Sequence, residues 1–240
     1  MRTIWTPLGD HILLEDFREA SDSFQGLFLS RFIYESNLIE GIDINPIATH
    51  NEGEEIQPAA EITGHYRALE YVLENYENKS PEVQDIKNIH QLLMSKIWER
   101  DIAYTAKTDR LSMKSTDQLK KKYVAGEYRK CKIWVGKNGG TYYRQIPRLM
   151  RSLEHKMNNM PESTSENVWN MHHEFETIHP FMDGNGRTGR LLLNWLSLKH
   201  FNKFMIIEGR KRGEYYGKIR QYTDKFKTEN PRVGFYKDRQ

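Results

Sequence analysis

The stretch from Leu191 to Phe201 constrains the fold more than any other part of this chain. Leu191, Leu192, Leu193, Trp195, Leu196, Leu198 and Phe201 fall so densely that a helix built from them is apolar on nearly every face. A helix without a polar face has to be enclosed, which predicts a buried central helix with other helices around it. Upstream, Val168, Trp169, Met171, His172, Phe175 and Ile178 recur at helical spacing and predict a helix running into His179. Pro180 disfavours helical angles in its predecessor, so this helix stops with His179 exposed at its end.

Asp183, Gly184, Asn185, Gly186, Arg187 and Arg190 lie where one helix gives way to the next. The two glycines permit the unusual dihedrals of a tight turn. A glycine-rich turn feeding a helix leaves unpaired amides at the positive end of the helix dipole, a setting that favours an anion. Arg187 opens the second helix and Arg190 follows one turn later on the same side. Two guanidiniums over such a nest suit a polyphosphate better than a single carboxylate. Asp183 beside that site has the character of a Mg²⁺ ligand, because Mg²⁺ takes one or two carboxylates together with phosphate oxygens. His179 accepts protons near neutral pH and is placed to activate a hydroxyl. A Gly-Asn-Gly turn or a helix-end histidine alone is more often structural. Their concentration in twelve residues points to phosphoryl-group chemistry.

This run resembles the signature of the Fic (filamentation induced by cAMP) family, His-Pro-Phe-x-Asp/Glu-Gly-Asn-Gly-Arg-x-x-Arg, at every specified position. The likeness extends to Ile89-His90-Gln91-Leu92-Leu93-Met94, similar to an early core helix. It also takes in Ala125-Gly126-Glu127-Tyr128-Arg129, similar to the element before a hairpin flap, and Arg212-Gly213-Glu214-Tyr215-Tyr216, similar to the opening of a closing helix. It covers roughly Glu61 to Phe235. The resemblance implies an all-α Fic-fold bundle around the buried central helix, with a β-hairpin flap over the active site. It implies three parts: an N-terminal segment over 1–60, a catalytic core over 61–236 and a short tail over 237–240. It also implies an adenylyltransferase that moves AMP from ATP to a Tyr, Thr or Ser hydroxyl of a target protein. By that likeness His179 is the general base and Asp183 carries Mg²⁺. Gly184, Asn185 and Gly186 hold the α-phosphate, and Arg187 and Arg190 grip the outer phosphates.

The hairpin is also visible without the family. Ile133-Trp134-Val135 and Thr141-Tyr142-Tyr143 are β-prone runs around the Gly-rich Gly136–Gly140, predicting a two-stranded flap. The resemblance implies that a target segment docks along 133–143 by strand addition. Near the N-terminus, Ser36-Asn37-Leu38-Ile39-Glu40-Gly41 is similar to the family's inhibitory motif, on a helix made able to pack by Phe28, Phe32, Leu38 and Ile39. The resemblance implies that Glu40 pairs with Arg190 and crowds the γ-phosphate site. Without it, Glu40 reads as an ordinary helix-end acid before a Gly41 cap.

At 240 residues the chain has room for one full core. No apolar run approaches membrane-spanning length, Met1–Pro7 lacks the apolar core of a secretory signal, and Cys131 is the sole cysteine, so a cytoplasmic setting is expected. Residues 1–106 carry 8 Lys+Arg against 19 Asp+Glu, net −11, and residues 107–240 carry 28 against 14, net +14. The basic half, which includes Lys120-Lys121-Lys122, reads as solvated faces and an anion site rather than a nucleic-acid surface, since charge alone supplies no means of reading bases. Glu52–Ala60 and Thr105–Lys122 read as polar connections and Lys227–Gln240 as a loosely packed tail. His172 reads as a structural support for the helix that carries His179. Removal of AMP, transfer of another phosphate-linked group, and a non-catalytic nucleotide- or protein-binding module are the competing readings. Self-association is left open.

Overall fold

The computed structural model describes residues 4–6, 9–44, 57–108, 124–136, 138–160 and 163–237. Two strands, β1 (Ile4–Thr6) and β2 (Gly9–Leu13), lead into α1 (Leu14–Glu19), α2 (Asp22–Ile39), α3 (Gln57–Asn75) and α4 (Val83–Thr108). A short hairpin of β3 (Trp134–Val135) and β4 (Asn138–Gly139) precedes α5 (Ile146–Asn158), α6 (Ser165–Ile178) and α7 (Asn185–Phe201). Strand β5 (Lys203–Ile207) and α8 (Arg212–Glu229) complete the fold. The architecture is all-α with small sheets at its margins.

Helix α7 is the enclosed helix that its composition demands. Leu191, Trp195 and Leu198 enter one core with Phe28, Phe32 and Ile33 of α2, Leu69 and Val72 of α3, and Ile89 and Leu93 of α4. Leu192, Leu193 and Leu196 enter a second core with Leu149, Met150 and Leu153 of α5 and Phe175 and Ile178 of α6. The opposite faces of one helix thus fill both cores, and no solvent-facing stripe is left between Leu191 and Leu198.

Several connections differ from the sequence expectation. Strand β5 pairs antiparallel with β2, which pairs antiparallel with β1, forming a three-stranded sheet that no local signal announced. Its other edge is closed by a side chain: Asn194 Oδ1 accepts from Met205 N at 2.7 Å, and Asn194 Nδ2 donates to Met205 O at 3.0 Å. A buried amide here does the work of a neighbouring strand and satisfies both backbone groups. Helix α3 begins at Gln57, inside the expected Glu52–Ala60 loop, and α4 runs to Thr108, inside the expected Thr105–Lys122 connection. The rest of those two connections, with Lys120-Lys121-Lys122, lies outside the described residues.

The flap is shorter than expected. Trp134 pairs with Gly139 and Val135 with Asn138, so the hairpin closes before Thr141. Thr141 instead bridges antiparallel to Phe235, Tyr142 N donates to Gly234 O at 2.8 Å, and Tyr143 starts a 3₁₀ turn. The expected loose tail is therefore corrected: its first residues finish α8, and 234–237 dock against the flap root. Tyr236 N donates to Gly140 O at 3.0 Å, and Trp134 Nε1 donates to Lys237 O at 3.2 Å.

Candidate functional site

Helix α6 is started by Thr164, whose hydroxyl accepts from Asn167 N at 3.2 Å, and it ends at His179. His179 adopts φ 50°, ψ 64°, left-handed angles that are strained for a residue with a side chain. The turn that follows is held from within. Asn185 Oδ1 accepts from Phe181 N at 2.9 Å and Asn185 Nδ2 donates to Phe181 O at 3.0 Å. Asp183 Oδ1 accepts from Gly184 N at 2.7 Å. The Asn185 side chain is thus committed to shaping the loop, which leaves its backbone amide as its means of meeting an anion.

The two glycines serve different ends. Gly184 takes φ 72° and uses its conformational freedom. Gly186 is helical and is needed for space, because a Cβ there would run into Glu40 Oε1. Helix α7 opens with Asn185, two residues ahead of the expected Arg187.

Support for this loop comes from His90, which the sequence reading placed only within a core helix. Gly126 N donates to His90 Nδ1 at 2.8 Å, so Nε2 carries the proton and donates to Asp183 O at 3.0 Å. Burial pushes the His90 pKa down to about 3, and its ring stacks on Phe181 with centroids 3.8 Å apart. Only the family likeness of that helix could have flagged it, since its partners lie far away in sequence.

A cavity of about 420 Å³ opens between α6, α8 and the flap. His179, Gly186, Glu40 and Glu176 line it together with Tyr216 and Thr223 of α8. His179 is half-buried, and its Nδ1 donates to Glu176 O at 3.3 Å, leaving Nε2 as the proton acceptor. Burial, reinforced by the nearby Arg129 charge, pushes the His179 pKa down to about 4. The imidazole is therefore neutral at pH 7.

Arg190 is fully buried behind this wall. Its Nε donates to Ser36 Oγ at 2.8 Å, and its Nη2 donates to Ser36 O at 2.8 Å and Glu40 Oε1 at 2.7 Å. Burial alone would raise the Glu40 pKa, but the Arg190 charge and hydrogen bond outweigh it and hold the carboxylate below its usual range. Glu40 caps α2 and Gly41 follows at φ 81°, so the motif sits at a true helix end. Behind Arg190, Tyr215 and His172 form a buried relay. His172 donates from Nδ1 to Gly189 O at 2.9 Å and accepts at Nε2 from the Tyr215 hydroxyl at 2.9 Å. Tyr215 is thus core, whereas Tyr216 faces the cavity.

Arg187 is also buried, 3.9 Å from Asp183 Oδ2, and its Nε and Nη1 have no hydrogen-bond partner among the described residues. Asp183 has its side chain 65% exposed. Glu176 was not anticipated at all. Its buried Oε1 is unpaired among the described residues, and burial raises its pKa to about 8, only partly opposed by Arg190. The fold therefore brings Glu40, Ser36, Arg190, Gly186 and His179 together, buries Arg187 beside them and leaves Asp183 outermost.

The Fic/DOC family profile matches residues 80–197, which span α4 to most of α7. A Drosophila grimshawi protein named protein adenylyltransferase Fic is 36% identical over 95 residues, 38% of this chain and 20% of that protein. A Drosophila erecta protein of the same name is 27% identical over 196 residues, 77% of this chain and 35% of that protein. The chain thus spans only a fifth to about a third of these relatives. Among solved structures, a Fic domain-containing signaling protein from Bacteroides thetaiotaomicron superposes with TM-score 0.65 at 16% identity, covering 87% of this chain and 78% of that one. Fic-1 from C. elegans superposes with TM-score 0.62 at 19% identity, covering 88% and 61%. These two likenesses concern the fold. With the signature intact and the profile matched across the site, the chain is a member of the Fic/DOC family.

Proposed function

We propose that the chain is a self-inhibited protein adenylyltransferase that transfers AMP from ATP to a Tyr, Thr or Ser hydroxyl of a target protein. The observation that carries this reading is that His179, Gly186 at the start of α7 and Glu40 line one cavity, with Glu40 holding the buried Arg190 behind them. The target hydroxyl gives its proton to His179 Nε2 as its oxygen bonds to the α-phosphorus, and the bond to the pyrophosphate oxygen breaks. The backbone amides of Asn185 and Gly186 supply the nest for the α-phosphate, and Gly184, whose own amide is held by Asp183 Oδ1, shapes the turn before them. Arg187 carries buried N–H groups with no acceptor among the described residues, which outer phosphate oxygens would provide. Among the described residues Asp183 Oδ2 has no hydrogen bond, only the 3.9 Å approach of Arg187, and its side chain is exposed, which fits a Mg²⁺ bringing its own waters and phosphate oxygens. Bound there, the ion would neutralise phosphate charge.

The inhibitory element in this reading is Glu40. Its carboxylate takes an Arg190 hydrogen bond that a γ-phosphate would use and presses against Gly186, where a phosphate and a carboxylate would repel. Ser36 supports it by fixing the same guanidinium. The target segment adds as a strand along the β3–β4 flap, with its hydroxyl toward His179.

Labelling with α-³²P-ATP and Mg²⁺, with γ-³²P-ATP in parallel, tests the reading on the parent, Glu40→Gly and Glu40→Gly/His179→Ala. The expected result is α-label only, rising on the order of tenfold or more with Glu40→Gly, a barrier drop of ~1.4 kcal/mol or more. It should fall about 10²–10⁴-fold when the base is removed. Label from the γ-position would make the reaction kinase-like, and no label from folded Glu40→Gly would reject AMP transfer.

A further inference from the structure

Arg129 is buried, 2% exposed, and among the described residues no carboxylate lies within ion-pair distance of it. Its planar fork is spent on backbone carbonyls of three segments. Nε donates to His179 O at 2.8 Å, Nη1 to Cys131 O at 3.0 Å, and Nη2 to Thr141 O at 2.7 Å. Nη2 also reaches Thr141 Oγ1 at 3.1 Å and Ile178 O at 3.5 Å. Thr141 Oγ1 donates to Ile178 O at 2.7 Å, and the Arg129 amide donates to Pro180 O at 2.9 Å. Cys131 enters the flap and Thr141 leaves it, while Ile178 to Pro180 end α6 and carry His179. A cation at the negative end of α6 satisfies carbonyls that the helix itself cannot.

We propose that Arg129 is a positioning residue that locks His179 in its left-handed conformation and ties that conformation to the root of the flap. A target strand seated on the flap and the base beneath it would then share one rigid frame. The lock stands on the geometry alone, and its consequence for turnover rests on the transferase reading. The other charged groups acting on His179 are Glu40 and Asp183, with Glu176 contributing its backbone carbonyl. Neither carboxylate can hold the histidine backbone as the guanidinium does. Lysine keeps the charge but lacks the fork, so it cannot bridge the three segments.

The experiment compares Arg129→Lys and Thr141→Val, each in the Glu40→Gly background, with their folding checked by thermal melting. Thr141→Val leaves every proposed catalytic group intact and removes only the hydroxyl links. Arg129→Lys is expected to lower kcat about tenfold or more with KM for ATP within about twofold, since small misplacement of a reacting group is costly. Thr141→Val should move kcat the same way, by less. Independently of turnover, the backbone ¹³C shifts of His179, which report its left-handed angles, should move toward extended or helical values in Arg129→Lys. Unchanged kcat in both folded variants would overturn the proposal, as would unchanged His179 shifts in Arg129→Lys. If the Glu40→Gly parent transfers no AMP, the transferase reading fails while the ¹³C shifts still judge the lock.

Discussion

His179 is kept neutral by its surroundings, and this fixes how turnover should respond to acid. Burial and then the Arg129 charge lower its pKa to about 4, so the imidazole stays unprotonated as pH falls through 6.5. Glu40 acts in the opposite direction, so the loss of its charge does not by itself bring the pKa back toward 6.5. On the proposed mechanism, with His179 as the base, the acid limb of kcat/KM for Glu40→Gly is therefore expected near pH 4. A limb at 6.5 would show His179 to be solvated in the working enzyme. Gly186 makes a second expectation at this scale. A Cβ there would meet Glu40 Oε1 and crowd Arg190 Nη1, while the helical backbone tolerates alanine. Gly186→Ala should destabilise the parent by about 1–3 kcal/mol, the usual cost of overpacking, and distinctly less in the Glu40→Gly background. Equal losses in both backgrounds, measured by urea unfolding, would mean that Glu40 does not occupy that space.

At the scale of elements, the flap and the C-terminal segment form one unit. Thr141 pairs with Phe235, Tyr236 with Gly140, and Gln145 Oε1 accepts from Gly234 N at 2.8 Å. Truncation after Asn230 should therefore leave α8 folded yet loosen the hairpin, seen as faster protease cleavage between 130 and 145 than elsewhere in the chain. Cleavage unchanged there would mean that the flap stands without its partner. The β character of Thr141-Tyr142-Tyr143 was legible in the sequence, but its partner was not. A strand propensity says that a segment will pair, and only the fold decides whether the partner is five residues away or ninety. The same limit hid the β1–β2–β5 sheet, whose strands join opposite ends of the chain. The helices α6 and α7 were legible because their apolar spacing is local and their ends carry Pro180 and Gly184.

For the molecule as a whole, buried histidines dominate the response to pH. Burial is the leading cause for each of His65, His90, His172, His173 and His179. It takes His90 to about 3 and His173 and His179 to about 4, and it lowers the other two well below 6.5. Below pH 6.5 the unfolded chain takes up protons that the folded chain refuses, so stability present above 6.5 is lost as pH falls. Each such proton is worth about 1.4 kcal/mol per pH unit. Glu176 has the opposite sign: its pKa is raised to about 8, so its contribution is full below 4.5 and lost as pH rises through 8. His200 shifts in the same direction, and these histidines against Glu176 predict a maximum near neutrality, a steep fall toward pH 4.5 and a shallow decline toward 8. Urea midpoints across that range check this, and a flat profile between 4.5 and 6.5 would contradict it.

The sequence by itself determined the enclosed helix, the helix that delivers His179, the turn at Gly184 and the family to which these belong. Each follows from residues within one or two turns of one another, where spacing translates directly into geometry. The tertiary structure alone decided that Asn185 shapes the loop with its side chain, that Glu176 lines the cavity, that His90 holds Asp183, and that the last segment braces the flap. These depend on contacts across tens of residues, and a buried polar group reveals its role only once the fold has chosen its partners and removed the water that would otherwise have served them.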